Sequence, residues 1–422
     1  MMPDIAVIIP VFGREDVFTT VGFLRGTKEA ARLHFIVIDN GNKPELSERL
    51  ATLADSSCSV VRLPTNRGGS GAYRAGMEAA MGMEGVRYLW LLDDDAMPNE
   101  RTLPGLLRVF ETERGEKPVG AVGSAMLGKE FPFRVTEVGS AVRTWRGGMQ
   151  RRFEFSDIRE LGERTDDVDF CAAASLLASR EAVEKAGIFA DIFIHWDDID
   201  WCYRVRDAGF RVMATTLSTV NHPEDTGKAS EWIIYYDVRN SLWFAKRHIP
   251  LLAQWLWRYY VWRGRLWCVY HGKKATLRMV DLGVRHAKSG ELLMRSELPL
   301  KPCTRTIAEI VKDADYVGAL ARPKDVGEAM VNALKEAGAK NFHVIICRRE
   351  NTNKVWKYVL AFAAQIRMQF AIWRAKRPVV FQDPFCVANY PLRFFSAEKH
   401  FFAASGGKVE ILPDAAEEQV SK

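Results

Sequence analysis

The feature that most constrains this chain is a repeated alternation of short apolar runs with amphipathic stretches over its first 230 residues. Four runs are rich in β-branched or aromatic residues and are bounded by Pro, Gly or Asn, which is typical of buried strands. These runs are residues 5–10, 35–39, 60–63 and 88–92. The stretches with helical spacing between them are 15–25, 43–53 and 71–81. We therefore predict βαβ units that build an α/β domain with a mainly parallel sheet flanked by helices.

The composition changes twice further along the chain. Six of the twelve tryptophans fall between Trp232 and Trp267, interleaved with arginines, and an α/β rhythm of apolar runs returns after about residue 300. We predict a catalytic domain over 1–230, an aromatic and basic helical segment over 231–300, and a smaller C-terminal α/β unit over 301–422. The sequence leaves the role of this last unit open.

The distribution of cysteine, charge and apolar residues predicts a cytoplasmic protein at a membrane surface. Seven scattered cysteines without a CxxC pair indicate a reducing compartment, and no stretch reaches the roughly 18–20 apolar residues of a membrane span. Residues 238–280 contain nine Lys or Arg and no Asp or Glu. With their tryptophans and tyrosines, they favour attachment to an anionic inner leaflet. The alternative is a helical pair that packs its aromatic residues under the catalytic domain. A nucleic-acid partner is not expected, because no recognisable binding motif accompanies the segment.

Three consecutive carboxylates, Asp93, Asp94 and Asp95, directly follow the apolar run YLWLL. Such a cluster at a strand end is typical of a site for a hard divalent cation. A solvated acidic turn or a helix N-cap fits the same residues. His222 follows another predicted strand, 216–220, and imidazole combined with carboxylates suits Mn²⁺ better than Ca²⁺. A lone histidine, however, is more often a structural group.

A second acidic cluster, Asp197 and Asp198, lies between Trp196 and Trp201. Carboxylates flanked by aromatic residues are partly desolvated, which raises the pKa and suits a general base. Either residue also fits the N-terminus of the following helix, and both interpretations can hold. We expect Asp200 to be a structural carboxylate.

A glycine-rich loop, residues 66–71, lies between a predicted strand and a predicted helix. It fits neither the P-loop nor the dinucleotide-binding fingerprint. A flexible turn is one interpretation. The neighbouring Arg67 and Arg74 favour a loop close to phosphate or sugar, since glycines permit close backbone approach and a helix N-terminus attracts anions.

Taken in chain order, the motifs over roughly residues 1–245 resemble those of the family 2 glycosyltransferases with a GT-A fold. The motifs are IIPVFGR, the strand ending in Asp39-Asn40, NRGGSGAYRAG, LLDDDAMP, VDFCAAASLLASREAVEKAGIF, IHWDDIDWCYRVRDAGF, VNHP and YYDVRNSLW. Within the family, the combination is most similar to galactofuranosyltransferases, with bacterial rhamnosyltransferases next.

The resemblance implies a role for each matching residue. Asp93, Asp95 and His222 would ligate Mn²⁺ or Mg²⁺, and Asp198 would be the base that deprotonates the acceptor. Trp196 and Asp197 would line the acceptor side. The residues implied for binding the nucleotide sugar are Pro10, Phe12, Arg14, Asp39, Asn66, Arg67, Gly68 and Asp94.

The activity implied is inverting, metal-dependent transfer of a galactofuranose- or rhamnose-like sugar. The donor would be a UDP- or dTDP-linked sugar, and the acceptor a glycan or a lipid-linked precursor of a cell-surface polysaccharide. The enzyme would lie peripherally on the inner face of the cell membrane, and a homo-oligomer is left open. Two alternatives are a non-catalytic glycan- or lipid-binding scaffold on the same fold and a sugar nucleotidyltransferase.

Overall fold

The computed structural model describes residues 3–129, 131–144, 148–223, 231–270, 274–299, 306–321, 324–346, 366–382, 398–405 and 408–411. The chain forms two compact units. The first contains 1–224, 239–260 and 287–294, and the second contains 225–238, 261–286 and 295–422.

The strands are numbered in chain order. They are β1 Ile5–Val11, β2 Leu33–Asn40, β3 Cys58–Leu63, β4 Tyr88–Leu92, β5 Met97–Pro98, β6 Val119–Gly128, β7 Val135–Glu137, β8 Ser140–Arg143, β9 Gly148–Arg151, β10 Thr165–Asp167, β11 Ser175–Ser179, β12 Arg211–His222, β13 Tyr316–Ala321, β14 Phe342–Ile346, β15 Pro378–Gln382, β16 Glu398–Ser405 and β17 Lys408–Ile411.

The helices are numbered in the same way. They are α1 Asp16–Arg25, α2 Pro44–Ala51, α3 Gly68–Met81, α4 Thr102–Thr112, α5 Ile158–Leu161, α6 Arg180–Ala186, α7 Asp197–Asp207, α8 Glu231–His248, α9 Leu251–Tyr270, α10 Lys274–Ser289, α11 Ile307–Val311 and α12 Lys324–Glu336. The four N-terminal strands and the three helices predicted between them are confirmed.

One large mixed sheet organises the first unit, with strand order β10-β12-β6-β11-β4-β1-β2-β3. Strands β3, β2, β1, β4, β6 and β12 all run in one direction, whereas β11 and β10 run against their neighbours. The prediction of an α/β fold with a mainly parallel sheet and flanking helices is therefore confirmed. Because the carboxyl ends of β1, β2, β4 and β12 meet at one edge, the loops that follow these strands lie there together.

Both faces of the central strands are buried, as expected for parallel strands covered by helices. Alternate residues of β1 face opposite ways: Ala6 and Ile8 pack on one side with residues of α3, such as Met77. Ile5 and Val7 pack on the other side with residues of α1 and α4. This two-sided core fixes the register of the sheet and hence the position of its carboxyl edge.

The sequence analysis did not identify β6 as a strand. Its sequence, VGAVGSAMLG, is poor in the β-branched and aromatic residues that signal a strand. The structure explains this composition: a Cβ on Gly123 would lie 2.5 Å from Cβ of Cys171. Because Cys171 approaches β6 this closely, the strand requires small residues at such positions. Small residues do not produce the β-branched and aromatic pattern by which a strand is predicted.

The second unit contains a sheet of order β14-β13-β15-β16-β17, and α12 packs with the core that β13 and β15 share. The α/β rhythm predicted for the C-terminal region is thus present where the structure describes it. The boundaries predicted at 230 and 300 stay predictions. Among the described residues, no helix is long and apolar enough to cross a membrane.

Candidate active site

Three metal-binding side chains converge at the carboxyl edge of the large sheet. Asp93 and Asp95 follow β4, and His222 is the last residue of β12. Nε2 of His222 lies 3.1 Å from Oδ1 of Asp95 and 3.5 Å from Oδ2 of Asp93. One ligand atom from each of the three residues lies within 4.8 Å of the others. Residues more than 120 positions apart in sequence therefore form a single cluster that could hold a metal ion.

The hydrogen bonding of His222 fits a metal-ligand role. Its Nδ1 lies 2.9 Å from the carbonyl oxygen of Pro223, which can only accept, so Nδ1 carries a proton. Nε2 is then directed at two carboxylates, and these groups repel one another unless a proton or a cation lies between them. Metal-bound histidines are commonly fixed by such a bond from the other ring nitrogen. Two carboxylates and one imidazole form a donor set suited to Mn²⁺.

Two further residues hold the cluster in place. The hydroxyl of the buried Tyr73, on α3, donates to Oδ1 of Asp93 over 2.7 Å. Arg14, in the loop after β1, forms an ion pair with Oδ2 of Asp95. Each carboxylate thus has one oxygen held by the protein and another near His222 Nε2. The predicted donor-binding residue Arg14 lies directly at the predicted metal ligands.

Asp94 points into the loop after β1. Burial, and then the neighbouring charge of Asp93, raise the pKa of Asp94 to about 7. The backbone N–H of Phe12 donates to the Asp94 carboxylate. The Phe12 ring itself is half exposed, at 47%, so it is available to a ligand. Phe12 and Asp94, both predicted to bind the nucleotide sugar, are therefore in direct contact.

Asp39, which is predicted to bind the nucleotide sugar, is the second-last residue of β2 and lies opposite Val11 of β1. Pro10 lies one register position earlier, opposite Ile38. Asp39 is buried, and its Oδ1 accepts from the side chain of Asn42 over 2.8 Å. Asn42 also donates to the carbonyl oxygen of Val11 over 2.8 Å. Asn42 therefore ties the two loops together.

The glycine-rich loop is held by Asn40, the last residue of β2. Its Oδ1 accepts from the backbone N–H of Arg67 over 2.9 Å, and its Nδ2 donates to the carbonyl oxygen of Gly68 over 3.0 Å. Asn66 caps the turn by accepting from the Gly68 N–H over 2.8 Å. The Arg67 guanidinium forms an ion pair with Asp191. The loop is thus an ordered start to α3 rather than a flexible turn.

The residues before Asp197 adopt an unusual backbone. Phe193, His195 and Trp196 have φ values of 75°, 64° and 70°. Left-handed backbone is unfavourable for bulky side chains and costs of order 1–3 kcal/mol per residue. Trp196 takes the N-cap position and Asp197 is the first residue of α7. The cap position therefore belongs to Trp196 rather than to either carboxylate.

Asp197 is buried and the adjacent Asp198 is half-buried, and both carboxyl groups have raised pKa values. Desolvation is the main cause for both, and for Asp198 the charges of Asp197 and Glu137 add to it. The charge of Asp93 also raises the pKa of Asp197. Burial raises the pKa of Tyr73 well above its usual value, and the charges of Asp93 and Asp197 add to that shift. The two acidic clusters are therefore within electrostatic range of each other.

Two neighbours of this pair have structural contacts. Trp196 is only 4% exposed and packs against Phe244 and Trp257, with ring centroids 5.2 and 5.8 Å away. Its proposed contact with an acceptor stays a prediction. Asp200 accepts from His248 Nε2 and from Arg204 Nε, each over 2.8 Å. Burial alone would raise the pKa of Asp200, but the hydrogen bonds and charges of these two partners outweigh burial and lower it. These contacts support the structural role expected for Asp200.

Sequence reasoning missed Tyr73, Asn40 and Asn42 as residues of the site. Asn40 and Asn42 flank the end of β2, and their position after a strand was the available signal. Tyr73 carries no such signal, because its contact with Asp93 arises only when α3 packs on the sheet.

Comparison with known proteins identifies the class of this domain. Residues 6–187 match the model of Glycosyl transferase family 2, so this part of the chain is a family 2 glycosyltransferase domain, as the motifs indicated.

Two curated relatives are similar to the chain. Galactofuranosyltransferase GlfT2 of Mycolicibacterium smegmatis is 28% identical over 236 residues, which cover 50% of this chain and 36% of that protein. GlfT2 of Mycobacterium tuberculosis is 26% identical over 200 residues, which cover 43% of this chain and 31% of that protein. The chain thus spans about a third of the length of the curated relatives it matches.

One solved structure similar to the chain is the mannosyltransferase PcManGT of Pyrobaculum calidifontis in complex with GDP-Man and Mn²⁺. The match covers 70% of this chain and 78% of that chain, with 16% identity and a TM-score of 0.43.

Proposed function

We propose that this protein is an inverting glycosyltransferase that uses a UDP- or dTDP-linked sugar and a divalent cation, Mn²⁺ or Mg²⁺. The observation that carries the proposal is the cluster of Asp93, Asp95 and His222, with ligand atoms within 4.8 Å of one another. The similarity to galactofuranosyltransferases favours a galactofuranose- or rhamnose-like donor sugar. The acceptor is a hydroxyl of a glycan or of a lipid-linked saccharide.

The donor diphosphate is expected beside the metal-binding cluster. When bound, the cation supplies Lewis-acid stabilisation of the charge that develops on the departing nucleoside diphosphate. Arg14 and Arg67 each pair with a carboxylate, Asp95 and Asp191 respectively. Both guanidiniums are within the loops expected to hold the donor, so an incoming diphosphate could take over these contacts. Bidentate geometry makes arginine well suited to phosphate oxygens.

Asp198 is the proposed general base. Its carboxylate takes the proton of the acceptor hydroxyl as that oxygen forms a bond to the anomeric carbon. The bond from the anomeric carbon to the diphosphate oxygen breaks, and the diphosphate leaves with the electron pair. The raised pKa of Asp198 increases its affinity for this proton and matches the acid–base task better than an ordinary carboxylate does. A single displacement inverts the anomeric centre.

Replacing Asp198 by asparagine tests the base directly. We expect Asp198→Asn to lower kcat by roughly 10²–10⁴-fold, the usual contribution of a general base, while donor affinity stays near that of wild type. Sugar transfer and donor hydrolysis would be followed with a panel of UDP- and dTDP-sugars. Asp207→Asn, at the exposed end of the same helix, is the matched control. Near-normal turnover of Asp198→Asn would refute the base assignment.

We also propose that the enzyme works at an anionic membrane surface through α9. One face of this helix carries large exposed apolar side chains. They are Leu251, Leu252, Trp255, Leu256, Tyr259, Trp262, Leu266 and Val269. Exposed basic residues, including Lys246, Arg247 and Arg258, lie in the same part of the chain. Aromatic and apolar residues bordered by arginine suit the boundary between lipid headgroups and acyl chains.

Vesicle binding tests this surface. We expect the full chain to sediment with phosphatidylcholine vesicles containing phosphatidylglycerol, and far less with phosphatidylcholine alone. Replacing Leu252 and Trp255 by serine should weaken binding by at least about tenfold, because burying one large apolar side chain is worth about 1.5–3 kcal/mol. Phe23→Ser, an exposed apolar residue on α1, is the control. Equal binding by all three proteins would contradict the proposal.

A further inference from the structure

We infer that Asn240, on α8, is a positioning residue that holds the left-handed turn in front of the Asp197–Asp198 pair. The expected effect of Asn240 on kcat rests on the proposed function, whereas its effect on the backbone of the turn does not. Asn240 is completely buried. It lies outside residues 6–187, the part of the chain that matches the family model.

A single amide group reaches three consecutive parts of the turn. Nδ2 of Asn240 donates to the carbonyl oxygens of Ile192, Ile194 and His195, over 3.1, 2.8 and 3.0 Å. Two amide hydrogens serve three acceptors, so at least one hydrogen is shared. These carbonyls belong to, or directly precede, the residues with positive φ, Phe193, His195 and Trp196.

The orientation of the Asn240 amide follows from its neighbours. The three carbonyl oxygens can only accept, so they must face the NH₂ group. Arg239 Nη1, which can only donate, lies against Oδ1 of Asn240. Nε of Arg239 donates to the carbonyl oxygen of Glu291 over 2.9 Å. The donor group is therefore held toward the turn.

The opposite side of the turn is attached to the glycine-rich loop. The N–H of Ser70 donates to the carbonyl oxygen of Phe193 over 3.1 Å, and Oγ of Ser70 accepts from the N–H of Ile192 over 2.9 Å. The turn thus lies between the start of α3 and Asn240. Strained backbone persists where surrounding contacts over-determine it, and these two attachments supply that constraint. Removing Asn240 takes this side-chain donor away from all three carbonyls, of which Ile192 keeps the N–H of Ile194 as a donor, and frees the turn to relax.

The test compares Asn240→Asp and Asn240→Ser with Leu50→Ala, a core substitution in α2 remote from the turn. An aspartate has similar shape but cannot donate when ionised, and a serine offers one hydrogen instead of two. Backbone amide hydrogen exchange of residues 190–200 is measured for all four proteins, together with Tm, kcat and the affinity for Mn²⁺–UDP. If the carboxylate introduced by Asn240→Asp prevents folding, Asn240→Ser still allows the comparison.

We expect exchange of the turn to accelerate at least tenfold in the Asn240 variants and not in Leu50→Ala of similar Tm. We also expect kcat to fall by roughly 100-fold, the loss that a displacement of about 1 Å can cause, with affinity for Mn²⁺–UDP changed less than about threefold. Exchange equal to that of Leu50→Ala would overturn the positioning role. If exchange of the turn accelerates but kcat stays at the wild-type value, Asn240 does not contribute to catalysis. If wild type transfers no sugar, the proposed function fails, and the exchange comparison still decides the role of Asn240.

Discussion

Replacing Gly68 by alanine perturbs the point where the glycine-rich loop meets the turn before the acidic pair. Gly68 has a φ of +69°, and a Cβ built there lies 1.8 Å from the carbonyl oxygen of Phe193. Left-handed backbone costs alanine roughly 1–2 kcal/mol, and relieving such a clash adds about 1–3 kcal/mol. The Phe193 carbonyl must retreat from 1.8 Å to about 3.5 Å. A shift of this size at the turn should reach Asp198 and lower kcat by roughly 100-fold or more.

The assay combines thermal unfolding with turnover, and the next residue provides the matched control. We expect Gly68→Ala to lose about 2–5 kcal/mol in its free energy of unfolding, which lowers Tm by at least about 4 °C. A Cβ on Gly69 meets nothing within 4 Å, and its φ is not in the left-handed region. Gly69→Ala should therefore keep or slightly raise Tm, because alanine reduces the entropy of the unfolded chain. Equal Tm and equal kcat for wild type and Gly68→Ala would refute the reasoning.

Two further predictions concern Tyr73 and Asp198. Tyr73→Phe removes the hydrogen bond to Asp93 and should weaken Mn²⁺ binding, measured by titration calorimetry, by roughly 10–100-fold; unchanged affinity would exclude this supporting role. Burial raises the pKa of Asp198 in the folded state, so the folded protein holds the proton more tightly than the unfolded chain. Stability is then lost as pH rises from the unfolded-state pKa through the raised one, and the Tm of Asp198→Asn should increasingly exceed that of wild type between about pH 4 and pH 8. A Tm difference independent of pH would contradict the raised pKa of this carboxyl group.

The sequence was most informative where the local pattern of apolar residues matches the burial of the segment in the folded protein. The runs at β1, β2, β3 and β4 are short and apolar because these strands lie between layers of helices. The parallel order of βαβ units then brings the ends of these strands, including Asp93 and Asp95 after β4, to one edge of the sheet. The resemblance to family 2 glycosyltransferases is what grouped these two residues with His222 in advance. His222 reaches the same edge because β12 runs parallel to β4, although β6 and β11 lie between these two strands.

Contacts set by long-range packing were not accessible from the pattern. β6 escaped detection because the close approach of Cys171 requires Gly123, and small residues do not signal a strand. Asn240 lies 46 residues beyond Ile194, and nothing local to α8 indicates that its amide faces a turn. The left-handed backbone at Trp196 is likewise a product of these distant contacts, since an aromatic side chain gives no local reason to adopt it.

Thermal unfolding with UDP or dTDP, in the presence of Mn²⁺ or of EDTA, tests most directly whether Asp93, Asp95 and His222 form a metal-dependent donor site. A ligand at 100 times its Kd stabilises the folded state by about 2.7 kcal/mol, which raises Tm by roughly 5–10 °C. We predict that at least one nucleotide gives such a rise only with Mn²⁺, and that Asp95→Asn and His222→Ala abolish it. Protection that is equal in EDTA, or that both variants retain, would contradict the account.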